Sequence, residues 1–149
     1  MPQSLVKILV HIVFSTKNRM AIITPEIEPG LFGYIHGIVK NHDARLITAN
    51  GTADHVHLLV SLGRNDVAEL IGDIKRSSST WIKKQDRRFS QFYWQKGYGV
   101  FSIGRSQVAA VSKYIADQKE HHKTQSFQDE FRVLLKKYDV DYDERFVWD

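Results

Sequence analysis

Asp54-His55-Val56-His57-Leu58-Leu59-Val60-Ser61-Leu62 decides how this 149-residue chain is read. A strand turns successive side chains to opposite faces, so Val56, Leu58 and Val60 share one face and His55 and His57 the other. The aliphatic row demands a core behind it. The two imidazoles then stand about 6 to 7 Å apart along the strand, a spacing from which both can reach one metal ion. Spacing alone leaves two readings open: a pair of metal ligands, or two ordinary half-buried histidines.

Working outward, Ala44 to Ala49 reads as a partner strand, with Asn50 and Gly51 as a tight hairpin turn between the two. Leu5 to Phe14 is a β-rich apolar run interrupted only by Lys7 and His11, which predicts a central strand in which His11 is structural. Ser15 to Arg19 is polar and basic. Beyond Pro25, Ile27, Leu31, Tyr34, Ile35 and Ile38 recur with helical spacing and predict a helix ending near Asn41. Asp66 can cap a second helix, with Leu70, Ile71, Ile74, Trp81 and Ile82 as its apolar stripe and Lys75, Arg76, Lys83 and Lys84 as its basic side. Phe92 to Trp94 and Val100 to Ile103 read as short strands around a glycine-rich bend. A third helix begins near Arg105 or Ser106 and runs to about His122. Phe127 to Tyr138 is again helical in pattern, and Asp139 to Asp149 is acidic and aromatic without a period. This succession predicts an α+β, ferredoxin-like (RRM-like) fold: an antiparallel sheet with helices on one face and the other face open. We expect one domain over residues 1–149, with a helical or irregular tail from about residue 123.

Composition narrows the chemistry. There is no Cys, which excludes disulfides, thiolate metal sites and cysteine nucleophiles, so any metal must be held by imidazole, carboxylate, amide or water. The net charge of +4 and pI near 9.3 suit a polyanionic partner. No stretch approaches the roughly 20 apolar residues of a membrane span, and Lys7 breaks the N-terminal apolar run where a signal peptide would need it whole. The expectation is a cytoplasmic protein without a membrane partner. No Gly-rich phosphate loop points to nucleotide hydrolysis.

Tyr114 and Gln118 lie four residues apart on the third helix and therefore on one face, beside a separate stripe of Val108, Val111 and Ile115. By itself such a pair is a boundary tyrosine and a solvated glutamine; next to the histidines it becomes a second half of a site. His121 and His122 read as phosphate contacts or as solvent-exposed histidines. Lys17, Arg19, Lys75, Arg76 and Lys83 could follow a nucleic-acid backbone, with Trp81 or Tyr98 stacking on bases, although such residues also commonly solvate helix faces and Trp81 falls on the apolar stripe.

Taken together, Ala53-Asp54-His55-Val56-His57-Leu58-Leu59, the segment Tyr93 to Ser102 and Tyr114-Ile115-Ala116-Asp117-Gln118 resemble the HUH single-tyrosine transposases of the insertion-sequence 200/605 family. The stretch His11 to Arg19 resembles that family's first strand and basic loop, so the similarity runs from about residue 5 to 122. The resemblance implies a homodimer with a ferredoxin-like fold, His55, His57 and Gln118 as ligands of Mg²⁺ or Mn²⁺, and Tyr114 as the nucleophile. It also implies a metal-dependent reaction that nicks and rejoins single-stranded DNA, with hairpins at the element ends, through a 5′-phosphotyrosine. In such dimers the tyrosine helix can complete the partner's site in trans. Ligand chemistry alone leans towards Mn²⁺, because Mg²⁺ prefers oxygen. The competing expectations are a non-catalytic nucleic-acid-binding relative, and a metal-dependent phosphoesterase that uses water and leaves Tyr114 structural.

Overall fold

Four strands whose side chains alternate between two buried faces organise the molecule. The computed structural model describes residues 2–149. In chain order the strands are β1 (Leu9–Ser15), β2 (Arg45–Gly51), β3 (His55–Ser61) and β4 (Gly99–Ile103), arranged β2-β3-β1-β4 with every pairing antiparallel. The helices are α1 (Glu28–Asn41), α2 (Val67–Gln85), α3 (Val108–Ala116), α4 (Gln118–His121) and α5 (Phe127–Lys137). This is the expected α+β, ferredoxin-like arrangement. No helix among the described residues is long and apolar enough to cross a membrane.

One face forms the main core. Val10, Ile12 and Phe14 of β1 and Val56, Leu58 and Val60 of β3 pack against Leu31, Ile35, Ile38 and Val39 of α1 and Leu70, Ile71, Ile74 and Ile82 of α2. The Asp66 carboxylate accepts from the Glu69 amide at the start of α2, as its cap position predicts.

The second face does not stay open. Leu9, Leu59 and Ile103 on it meet Ile115 of α3, and Val13 and Phe101 meet Phe127, Phe131, Leu134 and Leu135 of α5. So much apolar surface facing water would forfeit burial energy at roughly 25 cal/mol per Å², and the C-terminal helices cover it. Between the two apolar clusters, His11, His55 and His57 project from the sheet, all buried.

Three local expectations differ from the structure for tertiary reasons. β1 begins at Leu9 rather than Leu5, because its partners end there: Leu9 stands opposite Ser61 and Ile103, and Leu5, Val6 and Ile8 are exposed. Asn50 and Gly51 remain in β2, and the chain turns at residues 52–54. The Asn50 amide donates instead to the carbonyls of Ile115 and Ala116 at 3.0 Å, capping α3, while a Cβ on Gly51 would stand 2.2 Å from the His55 carbonyl oxygen. Phe92 and Trp94 form no strand beyond a single bridge from Trp94 to Thr16; both rings are buried, and Trp94 meets Phe14 edge-on at 4.9 Å.

Candidate metal and tyrosine site

β3 delivers His55 and His57 to the covered face. The long third helix expected from the sequence is interrupted at Asp117, so that Tyr114 lies in the last turn of α3 and Gln118 opens α4, and both still reach the same point. The Gln118 Oε1 lies 3.0 Å from His55 Nε2. Thus His55, His57, Tyr114 and Gln118, the four residues expected to act together, are brought together within one chain.

What joins them is a residue that the sequence did not single out. The Glu130 carboxylate, on α5, is buried with Oε1 at 3.0 Å from His57 Nε2, 2.9 Å from His122 Nε2 and 3.4 Å from His55 Nε2. Its Oε2 accepts from the Tyr114 hydroxyl and, at 2.9 Å, from the Gln118 amide. Glu130 lies within the apolar spacing Phe127, Phe131, Leu134 of α5, and an acid on that stripe was the available signal. His122 is neither solvent-exposed nor a free phosphate contact: its side chain is 9 % exposed and points at Glu130. His121 instead lies beside the Tyr114 ring, 4.9 Å between centroids.

A second layer orients the rings. The Asp54 Oδ1 is 2.8 Å from His55 Nδ1, and His11 Nε2 is 2.7 Å from His57 Nδ1. His11 is therefore structural in a specific sense, since it fixes the ring beside it.

The electrostatics follow from burial set against these contacts. Burial lowers His55, but bonds to Asp54 and Glu130 outweigh it and raise the ring to about 9. Burial dominates at His57 and His11, which fall to about 4 and about 3. For Glu130, burial works upward but the three imidazoles more than reverse it and hold the carboxyl far below the usual carboxylate range. Burial, reinforced by the Glu130 charge, pushes the Tyr114 phenol above its ordinary value. A cation is what this phenol needs in order to ionise.

His55, His57, His122 and Glu130 each present a ligand atom within 4.8 Å of the others. Imidazole nitrogen and carboxylate oxygen without thiolate form a donor set suited to a divalent ion such as Mn²⁺ or Zn²⁺, so the residues present fit a metal.

The basic residues are divided by their contacts. Lys75 is committed to the fold: its ammonium donates to the carbonyls of Gln95, Lys96 and Gly97 at 2.9, 3.2 and 2.6 Å. Arg19 donates to the Trp148 carbonyl at 3.1 Å. Lys83 lies over the ring of exposed Tyr93, 4.2 Å from its centroid, and Lys17 over the same ring at 5.7 Å. Arg76, Lys83, Tyr93 and Lys96 line an open groove of about 490 Å³. Tyr93 is the exposed aromatic ring in this groove, whereas Trp81 packs against the core and stacks on Tyr34 at 5.7 Å.

Comparison with known proteins gives a consistent answer. The sequence profile of the family described as "Transposase IS200 like" matches residues 4–118. The ISDra2 transposase TnpA of Deinococcus radiodurans is 22% identical over 116 residues, covering 74% of this chain and 83% of that protein. A candidate transposase of Deinococcus radiodurans R1, solved by crystallography, superposes with a TM-score of 0.62 at 20% identity, covering 79% of this chain and 98% of that one. A REP-associated tyrosine transposase bound to a REP hairpin superposes with a TM-score of 0.60 at 13% identity, covering 82% of this chain and 73% of that one. At these identities the two solved structures speak to the fold.

Proposed function

Because this chain belongs to the IS200-like transposase family, we propose that it nicks and rejoins single-stranded DNA at insertion-sequence ends, with Tyr114 as the nucleophile. The observation that carries this reading is the Tyr114 hydroxyl, which donates to a buried carboxylate that also contacts His55 and His57. A phenol, an imidazole pair and an amide thereby share one pocket.

In the proposed reaction the Tyr114 oxygen attacks phosphorus, a P–O(Tyr) bond forms and the P–O3′ bond breaks. The 3′ oxygen leaves with the proton that the phenol gave up, so atoms and charge balance. The products are a 5′-phosphotyrosine and a free 3′-OH, and a second 3′-OH reverses the step without ATP. Glu130 Oε2 holds the phenolic proton and Gln118 Nε2 steadies that oxygen at 2.9 Å, which aims the nucleophile before DNA arrives. His55, His57 and Gln118 would hold Mg²⁺ or Mn²⁺, which when bound supplies the positive charge that favours phenolate and offsets charge on the phosphate oxygens.

The substrate is single-stranded DNA carrying a hairpin. The groove between α2 and residues 93–96 pairs cations with an aromatic face, the combination that tracks an unpaired backbone while stacking its bases, and a solved relative holds a REP hairpin. The working assembly in this reading is a cytoplasmic homodimer.

The test uses end-labelled hairpin DNA with a single-stranded flank and Mn²⁺. The reading expects a covalent protein–DNA adduct that Tyr114→Phe abolishes and His55→Ala reduces at least 100-fold, a loss of about 2.7 kcal/mol in transition-state stabilisation. Product released by water without an adduct would replace it with a phosphoesterase, and binding without cleavage would replace it with a non-catalytic DNA-binding protein.

A further inference from the structure

We infer that His122 and Glu130 are metal ligands, joining His55, His57 and Gln118 in a centre of three imidazoles, an amide and one carboxylate in which the carboxylate also holds the nucleophile. The inference rests on the reading that a divalent ion binds at the histidine pair. It adds two ligands from α5 and the segment before it, outside the residues 4–118 that match the family.

The argument is one of converging ligand atoms. His122 Nδ1 lies 2.6 Å from the Gln125 carbonyl oxygen, and His55 Nδ1 lies 2.8 Å from the Asp54 carboxylate. Both of those oxygens only accept, so each ring carries a proton on Nδ1 and turns Nε2 inward. Inward, however, there are further acceptors. His122 Nε2 faces Glu130 Oε1 at 2.9 Å, and His55 Nε2 faces Gln118 Oε1 at 3.0 Å and Glu130 Oε1 at 3.4 Å. His57 Nε2 reaches the same Glu130 oxygen at 3.0 Å while His11 backs its Nδ1 at 2.7 Å. Three Nε2 atoms, a carboxylate oxygen and an amide oxygen thus converge in a buried space. A cation at their meeting point would take the place of the ring protons that these oxygens otherwise share, and each Nε2 would bind it through its lone pair.

Distances agree with that assignment. Donors held about 2.1 Å from one ion stand about 3.0 to 3.4 Å apart around it, and the separations of 2.9, 3.0 and 3.4 Å from Glu130 Oε1 to the three Nε2 atoms fall on that scale. Each imidazole also has the outward Nδ1 partner that orients a metal-binding histidine. Glu130 divides its two oxygens, Oε1 to the imidazoles and Oε2 to Tyr114 and Gln118. Gln118, whose amide nitrogen supports Oε2, then positions the carboxylate as well as facing the ion.

The probe is Mn²⁺ titrated into the full-length metal-free protein, followed by calorimetry and by the ¹⁴N modulation of the bound ion's electron spin resonance, which counts coordinated imidazoles. Three imidazoles are expected in the parent protein and two in His122→Ala. His122→Ala and Glu130→Gln are each expected to weaken binding by about tenfold or more, with circular dichroism unchanged; His122→Asn serves if the alanine variant unfolds. Two imidazoles in the parent protein, with Mn²⁺ affinity within twofold in all these variants but lost in His55→Ala, would overturn the enlarged centre and leave the DNA-cleavage reading standing. Absence of any Mn²⁺ binding would remove the metal reading itself.

Discussion

His55 and His57 are two residues apart on one strand and equally buried, yet their environments drive them in opposite directions. His55, bonded to Asp54 and Glu130 against the pull of burial, is raised to about 9, so its partners stabilise the fold fully below its ordinary value of 6.5. That contribution disappears as pH climbs through about 9, a loss on the order of 3 kcal/mol. Burial keeps His57 and His11 low, at about 4 and about 3, so the stability gained by leaving them neutral is present above 6.5 and drains as pH falls towards those values. Glu130, held low by its imidazoles despite burial, is fully contributing above its ordinary value of 4.5 and loses that contribution on acidification. The metal-free protein is therefore expected to be most stable near pH 6.5. Urea denaturation in the presence of chelator at pH 5, 6.5, 8 and 9.5 checks this, and His55→Gln should remove the alkaline slope while leaving the acid one. Equal stability at pH 6.5 and 9.5 in the parent protein would contradict it.

α5 is the element that converts an exposed strand face into a site, and its docking depends on a missing side chain. Phe131 lies against Gly99 so closely that a Cβ there would stand 2.6 Å from Phe131 Cε1 and 2.9 Å from Cζ. Gly99→Ala must displace that ring, and with it the neighbouring Glu130. We expect a destabilisation of about 1 to 3 kcal/mol from overpacking together with weaker Mn²⁺ binding, although no proposed ligand is altered; unchanged affinity would detach α5 from the proposed metal site. The same helix marks the limit of what the sequence discloses. Period-two alternation in β1 and β3 and the capped 3.6-residue stripe of α2 are local signals, which is why the ferredoxin-like order could be read from them. His55, His57, Tyr114 and Gln118 were legible for the same reason, since spacings of two and four residues fix a shared face in a strand or helix. The start of β1 was not, because strand length is set by partners that stop opposite Leu9. Glu130 and His122 were hidden for a related reason: their role exists only once the apolar spacing of α5 has been folded onto the far face of the sheet.

At the scale of the whole molecule the arrangement decides whose tyrosine serves which histidines. The resemblance allowed α3 and its extension to complete a partner's site, whereas in this chain Tyr114 and Gln118 meet Glu130, and through it His55 and His57, without a second copy. Asn50, at the end of β2, ties the C-terminal carbonyls of α3 to the same chain at 3.0 Å, and Lys119 of α4 reaches Glu28 of α1 at 2.7 Å. Exchange of the tyrosine helix between protomers would break these contacts and remake them across the interface. For a site working in cis, a protein carrying Tyr114→Phe and another carrying His55→Ala cannot rescue each other. Unfolded together in equal amounts and refolded, they should give no more DNA adduct than His55→Ala alone. Helix exchange would instead rebuild one intact site in each mixed dimer and restore about a quarter of the parent activity, the share of sites that random pairing makes whole. Recovery at that level would place the nucleophile in trans, and the contacts of Asn50 and Lys119 would then have to form between subunits, which Asn50→Ala would reveal as a loss of the mixed species' activity.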